Sequence, residues 1–263
     1  MKILRLRMVW ERLAREDPFW AVLMAPEKAG NQWKIDEFFA TGVREVDDSI
    51  GRLAQHLPAL PRQRALDFGC GAGRLTQALG RHYEQVTGVD VAAGMVELAK
   101  RHNPTPGRVS FVHNPRSDLR RFDSDHFDLV FSLITLQHVP PELIEVYVRE
   151  FVRIVRPGGA LYFQIPTSAP VAARETKQWS FYPPTMWTRL KRWTGRWFRR
   201  TTGIGDAMHT NALPAERVRA ILAESGAELV ATIDHPMDQC GSLIYVARKP
   251  ARAGAATGYA PAS

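Results

Sequence analysis

Three glycines at alternate positions, Gly69, Gly71 and Gly73, stand between two acids: Asp67, two residues before the first, and Asp90, seventeen residues after the last. Glycine lets a backbone turn tightly and lets a ligand approach the main chain. An acid at the end of the following strand accepts both ribose hydroxyls of a nucleoside. Together the two features predict a nucleoside cofactor; taken apart, the glycines would serve strand-to-helix packing and Asp90 would cap a helix. Asp67 narrows the choice, because a carboxylate at the cleft repels a pyrophosphate and suits an ammonium group. No Gly-x-x-x-x-Gly-Lys-Ser/Thr run is present, so a phosphate-binding loop of that type is excluded.

Three histidines could move a proton. His138, just after the apolar run at 127–133, is the candidate general base by position and intrinsic pKa; local hydrogen bonding ahead of Pro140 and Pro141 is the competing reading. His209 and His235 are second-rank candidates. None has carboxylates nearby in a metal-ligand pattern, and Cys70 and Cys240 have no such spacing, so no metal is expected. Two isolated cysteines favour a reduced, cytoplasmic setting.

The elements that must position these groups follow from periodicity. Residues 1–57 read as helical segments punctuated by Pro18 and Pro26, and short apolar runs then alternate with helical stretches. Strands are expected at 65–68, 86–90, 109–112, 127–133 and 160–165, with helices after Gly73, at 93–100 and at 141–155. This rhythm means parallel pairing with helices on both faces. A further helix is expected at 214–225. The strands at 229–233 and 242–247 are joined by too few residues for a crossover, so they should pair antiparallel. The expected fold is α/β: a Rossmann-like, seven-stranded, mostly parallel sheet with one antiparallel strand.

Leu66 to Gly73 resembles the first motif of class I S-adenosylmethionine-dependent methyltransferases of the small-molecule type. Val86 to Asp90 with Met95 resembles the second motif, Phe127 to Ser132 with Leu136 to Val139 the fourth, and Arg153 to Gly159 the turn into the fifth strand. The resemblance runs from about Arg64 to Ile165. It implies that S-adenosylmethionine is the cofactor, with its methionine part against Gly69, Cys70, Gly71 and Gly73 and its amino group facing Asp67. It further implies Asp90 on the ribose, Val91 and Met95 beside the adenine, and Ser132 and Leu133 at the end of strand four bordering the cofactor. Many relatives carry Gly-Asp after strand three; here Asn114 and Pro115 stand there, so Asn114 or Asp118 would take the adenine edge. Trp33, Phe38, Phe39 and Gly42 occupy the place of a lid over the cofactor, or simply pack.

The chain has 263 residues, 45% of them apolar and 24% charged, which excludes collagen-like, wholly disordered and disulfide-scaffold classes. Its net charge is +8, and residues 171–204 alone, with eight basic residues and one acid, carry +7 of it. Four of the seven tryptophans lie there too. Residues 168–212 sit where relatives insert a cap over the acceptor site, and from Met186 to Arg200 an apolar stripe runs beside Arg189, Arg192, Arg196 and Arg199. Three roles stay open for it: a pocket wall with a solvated basic face, peripheral contact with an anionic membrane, or contact with nucleic acid. No separate RNA-binding module and no Asn-Pro-Pro-Tyr signature supports the last.

The expected organisation is therefore a helical lid at 1–57, a methyltransferase domain at 58–249 with its cap insert, and a disordered tail at 250–263. The expected activity is O-methylation of a small or medium acceptor, such as a saccharide, a secondary metabolite or a lipid-linked compound. N-methylation, RNA methylation and a non-catalytic, cofactor-binding partner subunit are the alternatives. No apolar run reaches the roughly 18 residues of a membrane span, and the charged N-terminus lacks a signal-peptide core.

Overall fold

The computed structural model describes residues 2–168, 210–235 and 241–251. His209, the stripe from Met186 to Arg200 and the tail beyond Ala251 lie outside the described residues.

Helices α1 (Lys2–Glu16), α2 (Pro18–Val22) and α3 (Ile35–His56) precede the first strand. The alternating part runs β1 (Arg64–Phe68), α4 (Arg74–Leu79), β2 (Gln85–Asp90), α5 (Ala93–Arg101), β3 (Val109–His113), β4 (Phe127–Ser132), α6 (Pro141–Ile154) and β5 (Val155–Pro166). Helix α7 (Ala215–Glu224) and strands β6 (Glu228–Asp234) and β7 (Ser242–Arg248) complete the order. The seven strands among the described residues form one sheet in the order β3-β2-β1-β4-β5-β7-β6. β7 runs antiparallel to both neighbours, β5 and β6, and the remaining pairs are parallel.

Side-chain alternation along each strand divides the core between the two faces of the sheet. Leu66, Val130, Leu161, Phe163 and Tyr245 point to one face, where α6 and α7 bring Ile144, Val148, Phe151, Val218 and Ile221. Their neighbours Ala65, Leu129, Phe131, Tyr162 and Ile244 point to the other, against Val46, Ile50 and Leu53 of α3 and Leu79 of α4. The rings of Phe131 and Tyr162 stack across β4 and β5 with centroids 5.3 Å apart.

Most element bounds lie within a residue of those expected, and the largest difference is at the start of β5. β4 ends at Ser132, one residue before the expected Leu133, and β5 begins at Val155, inside the expected turn. Phe127 pairs with Val155 while Leu129 pairs with Ala160, so residues 156–159 bulge from the ladder. Gly158, at φ 81°, supplies the left-handed backbone this requires.

Asp128, 1% exposed, clamps this end of the sheet. Its carboxylate accepts the backbone N–H groups of Gln63 and Arg64 at 2.6 and 2.8 Å, and pairs with the Arg156 guanidinium at 2.6 Å. It thereby ties β1, β4 and the bulge of β5 together. Asp128→Ala strands two N–H groups and a guanidinium, and should lower unfolding stability by about 3 kcal/mol. Asp128→Asn, which keeps an acceptor oxygen, should lose less. Urea unfolding checks both, and equal losses for the two variants would contradict the clamp.

Candidate functional site

The site forms where the strand order reverses, outside the carboxyl ends of β1 and β4, the usual place for a ligand in an open α/β sheet. After Phe68 the backbone turns through Gly69, Gly71 and Gly73, all with positive φ, of 77°, 51° and 87°. Gly69 and Cys70 both donate N–H bonds to the Val89 carbonyl, at 2.8 and 3.1 Å, which pins the loop to β2. A Cβ on Gly69 would lie 2.0 Å from the Thr135 side chain, so the glycine also admits the segment that follows β4.

Asp90, at the end of β2, bridges two elements. Oδ2 accepts the Gly71 N–H at 2.9 Å and Oδ1 the Ala92 N–H at 2.8 Å. Burial raises its pKa although these N–H bonds act the other way. Asp67 lies across the loop, 1% exposed, with the Thr76 hydroxyl donating to its Oδ2 at 2.6 Å. Burial pushes the Asp67 carboxyl up to about 7, opposed by the Thr76 bond and by the Arg74 charge. Arg74, only 2% exposed, is itself engaged by Glu45 at 2.7 Å.

These groups open onto a cavity of about 520 Å³. Asp67, Gly69, Cys70, Gly71, Asp90, Val91, Asn114, Leu133, His138 and His235 all line it. Four residues expected at the cofactor do not. Gly73 leads into α4 as its N-cap, and Met95 is wholly buried against Ala21 and Ala92. Ser132 spends its hydroxyl on the Phe68 carbonyl at 3.0 Å, tying β4 to β1. Asp118 faces Arg120, and only its backbone carbonyl reaches Asn114, accepting from Nδ2 at 2.7 Å. Of the two alternatives for the adenine edge, Asn114 is the one on the wall.

A helical lid is expected in residues 1–57, with Trp33, Phe38, Phe39 and Gly42 over the cofactor, but other residues of that segment face the cavity. Ile3, Leu6 and Trp10 of α1, with Val22 at the end of α2 and Leu23 and Met24 after it, wall the cavity. The signal was present in the helical spacing of Ile3, Leu6 and Trp10. Trp33, Phe38 and Phe39 instead pack with Phe19 and Leu98, and the Trp33 indole N–H donates to the Leu23 carbonyl at 3.1 Å. They hold the cover without walling the cavity. Gly42 serves close packing: a Cβ there would stand 2.4 Å from the Arg74 carbonyl.

Glu11 docks the cover. Its two carboxylate oxygens accept the N–H groups of Ala93 and Gly94, at 2.7 and 3.1 Å, from across the fold. Ala92, in the capping position of α5, has no side-chain oxygen of its own, so an acid on α1 supplies the cap at the positive end of the helix.

His138 ends a short 3-10 turn, Leu136–His138. Burial holds its imidazole down to about 4, so the ring is neutral at physiological pH. Nε2 lies 3.2 Å from the Gln137 amide nitrogen, and Nδ1 is buried with no hydrogen-bond partner among the described residues. The Trp10 ring meets it edge-on with centroids 5.4 Å apart. His235, half-buried on the cavity wall, also has its pKa lowered by burial. Burial raises the Cys70 thiol well above its ordinary value, which leaves it unreactive.

The donor set fits S-adenosylmethionine. One buried and one half-buried carboxylate suit an ammonium group and a ribose diol, and the apolar walls at Val91, Leu133 and Val22 suit a flat base and a thioether chain. Among the described residues, no three His, Cys, Asp or Glu side chains are grouped to hold a metal, and no helix is long and apolar enough to cross a membrane.

A family described as a methyltransferase domain matches residues 66–163. The chain is 34% identical over 115 residues to the ubiquinone biosynthesis O-methyltransferase of Xanthomonas campestris, covering 43% of this chain and 47% of that protein. It thus spans about half the length of the curated relatives it matches. Among solved structures, magnesium protoporphyrin IX methyltransferase from Synechocystis aligns with a TM-score of 0.61 at 17% identity, covering 95% of this chain and all (100%) of that one. The N-methyltransferase NodS of Bradyrhizobium japonicum aligns with a TM-score of 0.56 at 19% identity, over 94% and 99%. Those two likenesses are likenesses of fold.

Glu11→Ala should cost about 1 to 2 kcal/mol of stability through the lost cap and speed hydrogen exchange across α1. Unchanged exchange in α1 would contradict the docking role of Glu11.

Proposed function

We propose that this chain, whose residues 66–163 match a family described as a methyltransferase domain, is a class I S-adenosylmethionine-dependent methyltransferase that transfers a methyl group to an oxygen of a small or amphiphilic acceptor. The observation that carries the reading is the pair of acids, buried Asp67 and half-buried Asp90, facing one cavity across the glycine loop. When bound, S-adenosylmethionine supplies an electrophilic methyl carbon on a sulfonium.

The protein's part is to bind and align. Asp90 keeps lone pairs for the ribose hydroxyls beyond the two it gives to backbone N–H groups. Asp67 offers a carboxylate to the ammonium. Asn114 and Val91 border the base, and the glycine loop lies along the methionine part. In-line displacement asks mainly for proximity and alignment, which the cover of α1 and α2 supplies by closing over the reacting atoms. The apolar face of that cover suits an acceptor with apolar bulk. Oxygen as the acceptor atom is supported by the O-methyltransferases among the relatives. The basic stripe from Met186 to Arg200 would add a cap over the acceptor, or a contact with an anionic membrane.

Cofactor affinity should depend on pH in a defined direction. In the free protein Asp67 holds its proton below about 7. A bound cation favours the ionised form, so below that pH binding must expel a proton, and affinity should fall with a slope approaching tenfold per pH unit. Above about pH 8 the ligand's α-amino group loses its own charge, so affinity should peak between the two values. Calorimetry with S-adenosylmethionine from about pH 5.5 to 9 checks this, and a flat profile below pH 7 would contradict the role of Asp67. Asp67→Asn should remove the acid limb and weaken binding by about tenfold or more.

The acceptor class is tested by incubating the full chain with radiolabelled cofactor and fractionated cell extract. Label is expected in the small-molecule or lipid pool; label in RNA alone would overturn the reading, and cofactor binding with no transfer to any pool would indicate a non-catalytic partner.

A further inference from the structure

We propose that a buried chain of hydrogen bonds from Ile134 through Gln164 and Gln137 fixes His138 as the neutral tautomer protonated on Nδ1. His138 then meets the acceptor as a hydrogen-bond donor and not as a general base. The proposal rests on the methyl-transfer reading and assigns a substrate class to it.

The chain starts from a group that can only donate. The Ile134 backbone N–H bonds Oε1 of Gln164 at 3.0 Å. Ile134 itself has φ 57°, rare for a β-branched residue, and such a conformation persists only where its surroundings hold it. With its oxygen committed there, Gln164 turns its NH₂ group the other way, donating to the Ser242 hydroxyl at 2.5 Å and to Oε1 of Gln137 at 3.5 Å. Gln137 therefore presents its own NH₂ group to Nε2 of His138, at 3.2 Å. Turning Gln137 over would set two NH₂ groups face to face.

An NH₂ group has no lone pair to offer, so Nε2 must accept, and a neutral imidazole then carries its hydrogen on Nδ1. Gln137, Gln164, Ser242 and His138 are all buried, which leaves little water to compete for these bonds. The lone pair that a general base needs is taken by Gln137. The free valence is the Nδ1–H, which has no partner among the described residues, on a ring that lines the cavity. An oxygen of the bound acceptor satisfies it.

A donor at this place selects an oxygen that arrives as an anion, a carboxylate or an acidic phenol, since an N–H bond to a charged oxygen is the stronger one. Such an acceptor needs no base. Its oxygen attacks the methyl carbon, the O–C bond forms, and the C–S pair returns to sulfur as a neutral thioether. No proton is left to remove.

Nitrogen NMR of the full chain labelled with ¹⁵N-histidine reads the tautomer directly, with the His138 signals assigned as those missing from His138→Asn. A protonated Nδ1 and bare Nε2 are expected, and Gln137→Glu, whose carboxylate accepts, should move the proton to Nε2. A wild-type ring protonated on Nε2, or no change in Gln137→Glu, would overturn the proposal. In the radiolabel assay on the extract pool that the wild type modifies, His138→Asn, with an amide near the Nδ1 position, should stay within about tenfold of wild type. His138→Ala should lose about ten- to a hundredfold, as expected for one hydrogen bond to a charged group. Equal losses of a hundredfold or more in both variants would mark a general base and overturn the donor role. Absence of transfer by the wild type would overturn the methyl-transfer reading and the acceptor role with it, while the nitrogen spectrum would still decide the tautomer.

Discussion

Asp90 accepts a backbone N–H on each carboxylate oxygen, from Gly71 on one side and Ala92 on the other, and the geometry of the site depends on that bridge. The first bond sets the turn of the glycine loop and the second sets the entry into α5. Both are made by a carboxylate whose burial is unfavourable for its charge. The same residue that the ribose would engage is thus already the fastener between β1 and β2. A carboxylate held by two N–H donors does not have to reorganise when a ligand arrives, and that is what alignment requires.

The cover follows from the same end of the sheet. Where Asp90 takes the Ala92 N–H, Glu11 takes those of Ala93 and Gly94, so two acids from different parts of the chain satisfy the start of α5. One lines the cavity and the other brings α1 across it. The cavity wall and the cover therefore share a helix terminus. The close approach of Ala14 to Gly94, where a Cβ would stand 3.0 Å away, shows how tightly the two helices meet there.

The fold was legible because its signals are local. Apolar runs ending on Asp67 and Asp90, and the spacing of the glycines, mark strands and loops without reference to anything distant, and the sheet agrees with them. Asp67, Asp90, Val91, Asn114 and His138 were placed on the cavity for the same reason. What escaped depends on contacts between residues far apart in the chain. Ser132 carries a motif position but spends its hydroxyl on Phe68, and Met95 turns into the packing beneath the loop. Glu11 looks like one more charge on an amphipathic helix until α5 lies beside it. The tautomer of His138 needs Gln164, from a different strand, before it can be inferred at all.

The most direct measurement is a crystal structure of the full chain with S-adenosylhomocysteine. Both ribose hydroxyls should lie within hydrogen-bond distance of the Asp90 carboxylate while Gly71 and Ala92 keep their bonds to it, with the amino group on the side of Asp67. A nucleoside bound elsewhere, or one whose ribose leaves Asp90 untouched, would contradict the account.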